Sequence, residues 1–282
     1  MCKRKTLKEL TLKDNFMFGA VMSDENNCRR LLELILQIQI QKVTVCKEKS
    51  IVYHPEYKGV RLDVYAKDEK NTHYNVEMQA VRDAALGKRS RYYHSQIDME
   101  LLLSGAEYSE LPNTVVIFIC DFDPFGEEKY CYTFERVCKE AKEVGLQDGS
   151  RSIFLSTKGK NKNDVPETMV KFLDFVSADL EESTKEFEDD FVRCLQQSVQ
   201  HVKESRAMEE RFMVLHEMMK RERAEGKAEG KAEDIIELLE ELGSVSEELR
   251  TIIMQETDLN VLLKWLKLAA KAESVEQFKQ NM

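Results

Sequence analysis

Arg61 to Gln79 reads RLDVYAKDEKNTHYNVEMQ. Polar and apolar residues alternate over Arg61–Ala66 and again over Asn75–Gln79, and the polar Lys67-Asp-Glu-Lys-Asn71 between them has the composition of a turn. The stretch therefore reads as a β-hairpin. On a period of two, Asp63 projects with Arg61 and Tyr65, and Glu77 projects with Asn75 and Gln79, leaving Leu62, Val64, Val76 and Met78 to face a core. Two carboxylates on neighbouring strands can then meet. Such a pair suits a hard divalent cation, Mg²⁺ or Mn²⁺, which takes carboxylate, carbonyl and water oxygens and favours sites that also hold phosphate. A cation held there activates water and neutralises charge developing on a phosphodiester. The bland alternative is a solvated strand face that happens to carry an Asp and a Glu.

The rest of the composition sets bounds on that idea. A chain of 282 residues accommodates one globular domain with helical additions, and four prolines and eleven glycines leave few breaks. A formal charge of −10, from 42 Lys and Arg against 52 Asp and Glu, excludes an all-over nucleic-acid-binding surface, so contact with DNA needs a local patch. The seven cysteines contain no CxxC pair and are odd in number, which points to reduced thiols, most of them small buried hydrophobes, and to neither disulfides nor a zinc site. No apolar run approaches the roughly 20 residues that span a bilayer, and the basic Met-Cys-Lys-Arg-Lys start leads into no apolar segment, so a cytoplasmic protein without membrane contact is expected.

Outward from the hairpin, Asp14 stands ahead of Phe16, Phe18 and Val21 as an N-cap or first-turn acid, and a second helix is expected over Glu25–Ile38. Gln39–Cys46 and Lys49–Tyr53 read as extended. Beyond Gln79, Arg82, Lys88, Arg89 and Arg91 are interleaved with Tyr92, Tyr93 and His94 at the start of a helix, the best local cationic patch in the chain. Cations so placed hold backbone phosphates without reading bases. Leu111–Cys120 is a continuous apolar run, as in a strand covered on both faces. The DFDP segment after it reads as an Asx/Pro loop. Tyr130–Phe134 and Ser152–Leu155 are further strand candidates. The basic loop Thr157–Lys162 lacks the GxxxxGK[ST] spacing, so no nucleotide cofactor is expected.

From Pro166 onward the pattern is helical. The repeat RAEGKAEGKAE over Arg223–Glu233 stacks like charges at i,i+4 and carries two glycines, each costing roughly 1 kcal/mol against alanine, so alone it is a poor helix. It serves either as an oligomerisation seam between copies or as a tether. Ser246-Glu-Glu-Leu249 and Thr257-Asp-Leu259 restart helices in the tail.

The spacing of Asp63 and Glu77-x-Gln79 resembles the PD-(D/E)xK nuclease signature. RLDVYA and NVEMQ, with DNFMFGAVM, RSRYYHSQIDMELLLSGAEYSEL and the EGKAEGKA repeat, resemble the recombination-promoting nuclease (Rpn) family, also called PD-(D/E)xK-type transposases. The resemblance implies an α/β fold with a restriction-endonuclease-like core, a central mixed β-sheet flanked by helices, over residues 1–165. A helical extension over 166–222, the repeat over 223–233 and a small helical module over 234–282 would follow. It implies a metal-dependent DNA endonuclease in which the side chains of Asp63 and Glu77 and the backbone carbonyl of Met78 bind Mg²⁺ or Mn²⁺, Gln79 positions the attacking water, and Lys88, Arg89 and Arg91 grip phosphates. Two positions depart from the motif: Leu62 stands where its name has proline, and Gln79 where it has lysine. The glutamine belongs to the Rpn pattern but brings no charge. A catalytically silent assembly protein on the same fold and a metal-dependent RNase are the rival expectations.

Overall fold

The structure is a computed structural model and describes residues 5–46, 49–51 and 58–282. The basic start with Cys2 and the extended segment expected at 52–53 lie outside the described residues. By contacts the chain forms two compact units, one ending at Arg206 and one beginning at Ala207.

The first unit opens with α1 (Asn15–Met22), which buries Met17, Phe18, Val21 and Met22. In α2 (Glu25–Leu36), the Asp24 carboxylate caps the amides of Asn26 and Asn27, and Gln37 ends the helix in the left-handed region at φ 54°, ahead of the expected Ile38. Five strands follow: β1 (Val43–Cys46), β2 (Ser50–Ile51), β3 (Val60–Arg61), β4 (Val64–Asp68) and β5 (His73–Gln79). Then come α3 (Leu86–Leu101), β6 (Thr114–Cys120), β7 (Cys131–Phe134), β8 (Ser150–Ser156), α4 (Glu167–Ser177) and α5 (Asp190–Glu204).

Six strands make one mixed sheet in the order β1-β4-β5-β6-β8-β7, and β2 and β3 pair separately. The β4–β5 hairpin is antiparallel, with Val64 opposite Val76 and Tyr65 opposite Asn75. The next two pairings, β5 with β6 and β6 with β8, are parallel. A parallel neighbour requires a crossover, and α3 supplies it between β5 and β6. Every residue of β6 is buried, as its unbroken apolar run requires of a central strand. Its Val116 and Phe118 meet Leu86, Tyr93 and Ile97 of α3 in one apolar cluster, with the Tyr93, Phe118 and Phe154 rings stacked at 6.0 and 5.2 Å. Ile117 and Ile119, on the other face of the same strand, are fully buried as well, so the sheet is covered on both sides. The α/β class and the mixed sheet flanked by helices are therefore as the resemblance implied.

In the second unit α6 (Arg206–Leu242) is one uninterrupted helix that includes the repeat, followed by α7 (Glu247–Gln255), α8 (Leu259–Ala269) and α9 (Val275–Asn281). Ser246 and Asp258 cap α7 and α8. The repeat is helical because Ala228 and Ala232, one turn apart, are buried in a core with Ile235, Leu239, Leu249, Ile253, Leu262, Trp265 and Phe278. Packing thus overrides the poor local propensity. Gly226 and Gly230 face open space. Of the described cysteines only Cys28 and Cys120 are buried. Cys46 is exposed and the other three are half-buried, fewer in the core than composition led us to expect.

Candidate active site

The Asp63 strand is not continuous as its alternation predicts. Arg61 ladders with Ser50, Leu62 N–H donates to the Lys49 carbonyl at 2.9 Å, and β4 begins only at Val64. At the break Asp63 turns onto β5. Its N–H donates to Glu77 Oε1 at 3.2 Å, and its Oδ2 accepts the Met78 N–H at 3.1 Å. Asn15, at the start of α1, adds an amide N–H to the same oxygen at 3.4 Å. Each carboxylate is thereby fastened to main chain belonging to the other, and the pair sits at the C-terminal end of β5. Crevices at the carboxyl ends of parallel strands are where open α/β sheets bind ligands.

Burial decides between this pair and a solvated strand face. Glu77 is 2 % exposed, and β5 is buried on both faces up to Met78, so the alternation there is one of chemistry rather than of solvent contact. Loss of hydration pushes the Glu77 carboxyl up to about 7, with the neighbouring Asp63 charge adding to the rise. Asp63 is raised as well, again first by burial, against the opposing Met78 N–H and the Arg89 charge.

Arg89 supplies the positive charge inside the site. Its guanidinium donates to Glu77 Oε2 at 3.1 Å, to Gln79 Oε1 at 2.9 Å and to the Tyr93 hydroxyl at 2.9 and 3.2 Å, and it lies 3.5 Å from Asp83. The Tyr93 hydroxyl donates in turn to Glu77 Oε2 at 3.2 Å. The Tyr93 and Phe118 rings flank the guanidinium at 5.4 and 5.3 Å. Helix phase places Arg89 on the stripe with Leu86, Ser90, Tyr93 and Ile97, whereas Lys88 and Arg91 are exposed. The three cations expected to act as one patch are thus divided, one turned inward and two outward. Arg82 donates to the Asp123 carbonyl at 2.8 Å, away from the pair.

Gln79 accepts from Arg89 and donates from Nε2 to the Val81 carbonyl at 2.6 Å. Beside it, the Asp121 N–H bonds the Gln79 carbonyl, and the Asp121 carboxylate holds Lys13 at 3.4 Å and Lys158 at 3.2 Å. Asp123 is a loop carboxylate that accepts from the Phe125 and Glu128 amides and the Tyr132 hydroxyl. Sequence reading missed Asn15, Tyr93 and the lysine pair as neighbours of the site. The first two stand inside phrases that carry the family resemblance, but Lys13 and Lys158 converge only through the fold.

The donor set suits a hard cation that keeps most of its waters. Among the described residues no three His, Cys, Asp or Glu side chains gather as ligands, and the Asp63–Glu77 pair contributes oxygen alone. Because the Met78 N–H leaves β5 toward Asp63, the Met78 carbonyl leaves on the same edge of the extended strand. Asn75, on the Glu77 face of β5, is fully buried with neither amide atom hydrogen-bonded. It lies near enough to favour the ionised form of Glu77 without a bond of ordinary geometry. A buried amide at this point offers a donor and an acceptor beside the Glu77 carboxylate. A cavity of about 470 Å³ at the other end of the sheet, lined by Asp68, Tyr74, Asn113 and Asp148, includes none of these residues.

A family model described as PD-(D/E)XK nuclease family transposase matches residues 12–234, which takes in α1, the whole sheet and most of α6. No match was found among curated proteins or among solved structures. With most of the chain matched, and with the motif acids converging at the end of β5, the protein belongs to the PD-(D/E)XK nuclease family transposases.

Proposed function

We propose that the chain is a Mg²⁺- or Mn²⁺-dependent endonuclease that hydrolyses phosphodiester bonds in DNA, serving recombination or mobile-element activity. The observation that carries this reading is the buried convergence of Asp63 and Glu77 at the C-terminal end of β5. Their side chains and the Met78 carbonyl would hold the cation. When bound, it supplies an activated water and neutralises charge on the scissile phosphate. Gln79 spends one Nε2 hydrogen on Val81, which leaves the other to hold the attacking water in line. Lys88 and Arg91, free of the inner web and exposed on α3, grip flanking phosphates. A metal-dependent RNase is the rival that the same constellation permits, and the choice of substrate below separates the two.

Supercoiled plasmid, linear DNA and RNA incubated with Mg²⁺, Mn²⁺ or EDTA test the reading. Metal-dependent nicking of the plasmid that spares RNA is expected. Cleavage in EDTA, or cleavage that survives Asp63→Ala, refutes it. A second reading, assembly through the C-terminal helices, is favoured by Met213, Val214 and Met218 of α6, all more than half exposed. Light scattering across a dilution series tests it, and a monomer at every concentration refutes it.

A further inference from the structure

The PD-(D/E)xK motif places a lysine two residues after its second acid, and here that residue is the uncharged Gln79. The charge is not missing from the place. Four of the five N–H hydrogens of Arg89 are hydrogen-bonded, on Gln79 Oε1, Glu77 Oε2 and the Tyr93 hydroxyl, and the second hydrogen of Nη1 is left with Asp83 Oδ2 at 3.5 Å from that nitrogen. Two aromatic rings hold the plane of the guanidinium. An arginine that merely searches solvent for phosphate, as Lys88 and Arg91 are free to do, is not fixed in this way. A counter-ion for Glu77 alone has no need of the Gln79 amide. The side chain nevertheless remains one-third exposed, against almost complete burial of the Glu77 side chain that it meets.

We propose that Arg89 is the catalytic cation of this enzyme: carried by α3 and docked on Gln79 and Glu77, it contacts the scissile phosphate and stabilises the charge that develops there, a task the motif gives to lysine. Gln79 then has a second use, as the acceptor that keeps the guanidinium in register. The inference rests on the endonuclease reading above. It needs no rearrangement of α3, because the charge already lies within hydrogen-bonding distance of the motif residues. Guanidinium also suits the role, since the remaining Nη1 hydrogen can donate to a phosphate oxygen while the others hold the plane, and the group stays charged at every working pH.

The test moves the charge and follows two readouts, plasmid cleavage and Mn²⁺ binding by electron paramagnetic resonance. Arg89→Gln should lower the cleavage rate by about 10² to 10³, the usual cost of removing one transition-state stabiliser, while the Mn²⁺ dissociation constant stays within about threefold. Arg89→Lys, which keeps a charge but loses the fork, should retain more activity than Arg89→Gln. In the double variant Gln79→Lys/Arg89→Gln the charge returns on the motif position, and the rate should recover at least tenfold over Arg89→Gln. That double variant also restores a counter-charge to Glu77, so it guards against a fold defect in the single one. If wild type cleaves and Arg89→Gln cleaves equally well, or if Arg89→Gln loses Mn²⁺ binding and the added lysine rescues nothing, the inference is overturned and the endonuclease reading stands. If wild type binds Mn²⁺ but cuts no DNA, both are overturned.

Discussion

Glu77→Gln is the perturbation with the most to say about the site, because it separates the cost of the buried charge from its use. Between about pH 4.5 and 7, a carboxyl held at about 7 against an ordinary value of 4.5 is protonated in the folded chain while already ionised in the unfolded one. This one carboxyl therefore costs the fold nothing below about pH 4.5 and destabilises it progressively as pH rises to about 7. At roughly 1.4 kcal/mol per pH unit, the loss comes to about 3 kcal/mol. Glutamine has no proton to lose and keeps an oxygen to accept the Asp63 N–H. In EDTA, wild type should fall relative to Glu77→Gln by about 3 kcal/mol between about pH 4.5 and 8. The single tryptophan, Trp265, lies in the second unit, so its fluorescence does not report on the site. Amide exchange of residues 73–79 does. Saturating Mn²⁺ should abolish the wild-type deficit, because a bound cation favours the ionised carboxylate, and should leave the variant unmoved. Parallel pH profiles for the two proteins in EDTA would refute the burial argument. Equal Mn²⁺ stabilisation of both would remove Glu77 from the metal site.

Asp63→Ala and Glu77→Ala should each abolish plasmid cleavage while far-UV circular dichroism stays native, and a folded variant that cuts at the wild-type rate refutes the site. Lys88→Ala/Arg91→Ala should flatten the log–log salt dependence of DNA binding by about 1.8, at about 0.9 for each lost phosphate contact, and an unchanged slope means that this face of α3 touches no phosphate. Asn75→Leu removes an unsatisfied buried amide and should stabilise the metal-free protein by about 1 kcal/mol while weakening Mn²⁺ binding in a calorimetric titration. Intact Mn²⁺ affinity would make the orphaned amide irrelevant to the site. Gly226→Ala/Gly230→Ala should raise the urea midpoint of the second unit, read by Trp265 fluorescence, at roughly 1 kcal/mol per residue. Both positions open on empty space, so a lowered midpoint would contradict the helix.

Much of the sheet was legible because it depends on local pattern. The period-two alternation around Asp63 and Glu77 fixed which side chains share a face, and the unbroken run through Phe118 marked a strand covered on both sides. Family phrases carried the expectation of a mixed sheet flanked by helices. Less visible was whatever depends on partners distant in sequence. The break at Leu62 and Asp63 follows from hydrogen bonds to Lys49, Glu77 and Met78, none of which the alternation of Arg61–Ala66 registers. The gathering of Lys13 and Lys158 on Asp121 leaves no sequence trace at all. Arg89 is an intermediate case. A cluster of cations read as a patch concealed its phase, although the stripe from Leu86 through Tyr93 to Ile97 sets Arg89 inward and Lys88 and Arg91 outward.

The reciprocal fastening of Asp63 and Glu77 to each other's backbone also bears on when the proposed site comes into being during folding. Side chains that merely point into a cleft can come together in a loosely ordered chain, but these two meet only if β4 and β5 pair in the observed register. A slip of one residue would send Glu77 to the opposite face of the sheet and leave Asp63 without the Met78 amide. On the proposed reading, the capacity to cut requires both that the hairpin be paired in this register and that α3 lie with Arg89 against it. A nascent, misregistered or partly unfolded copy carries every motif residue and still lacks the site.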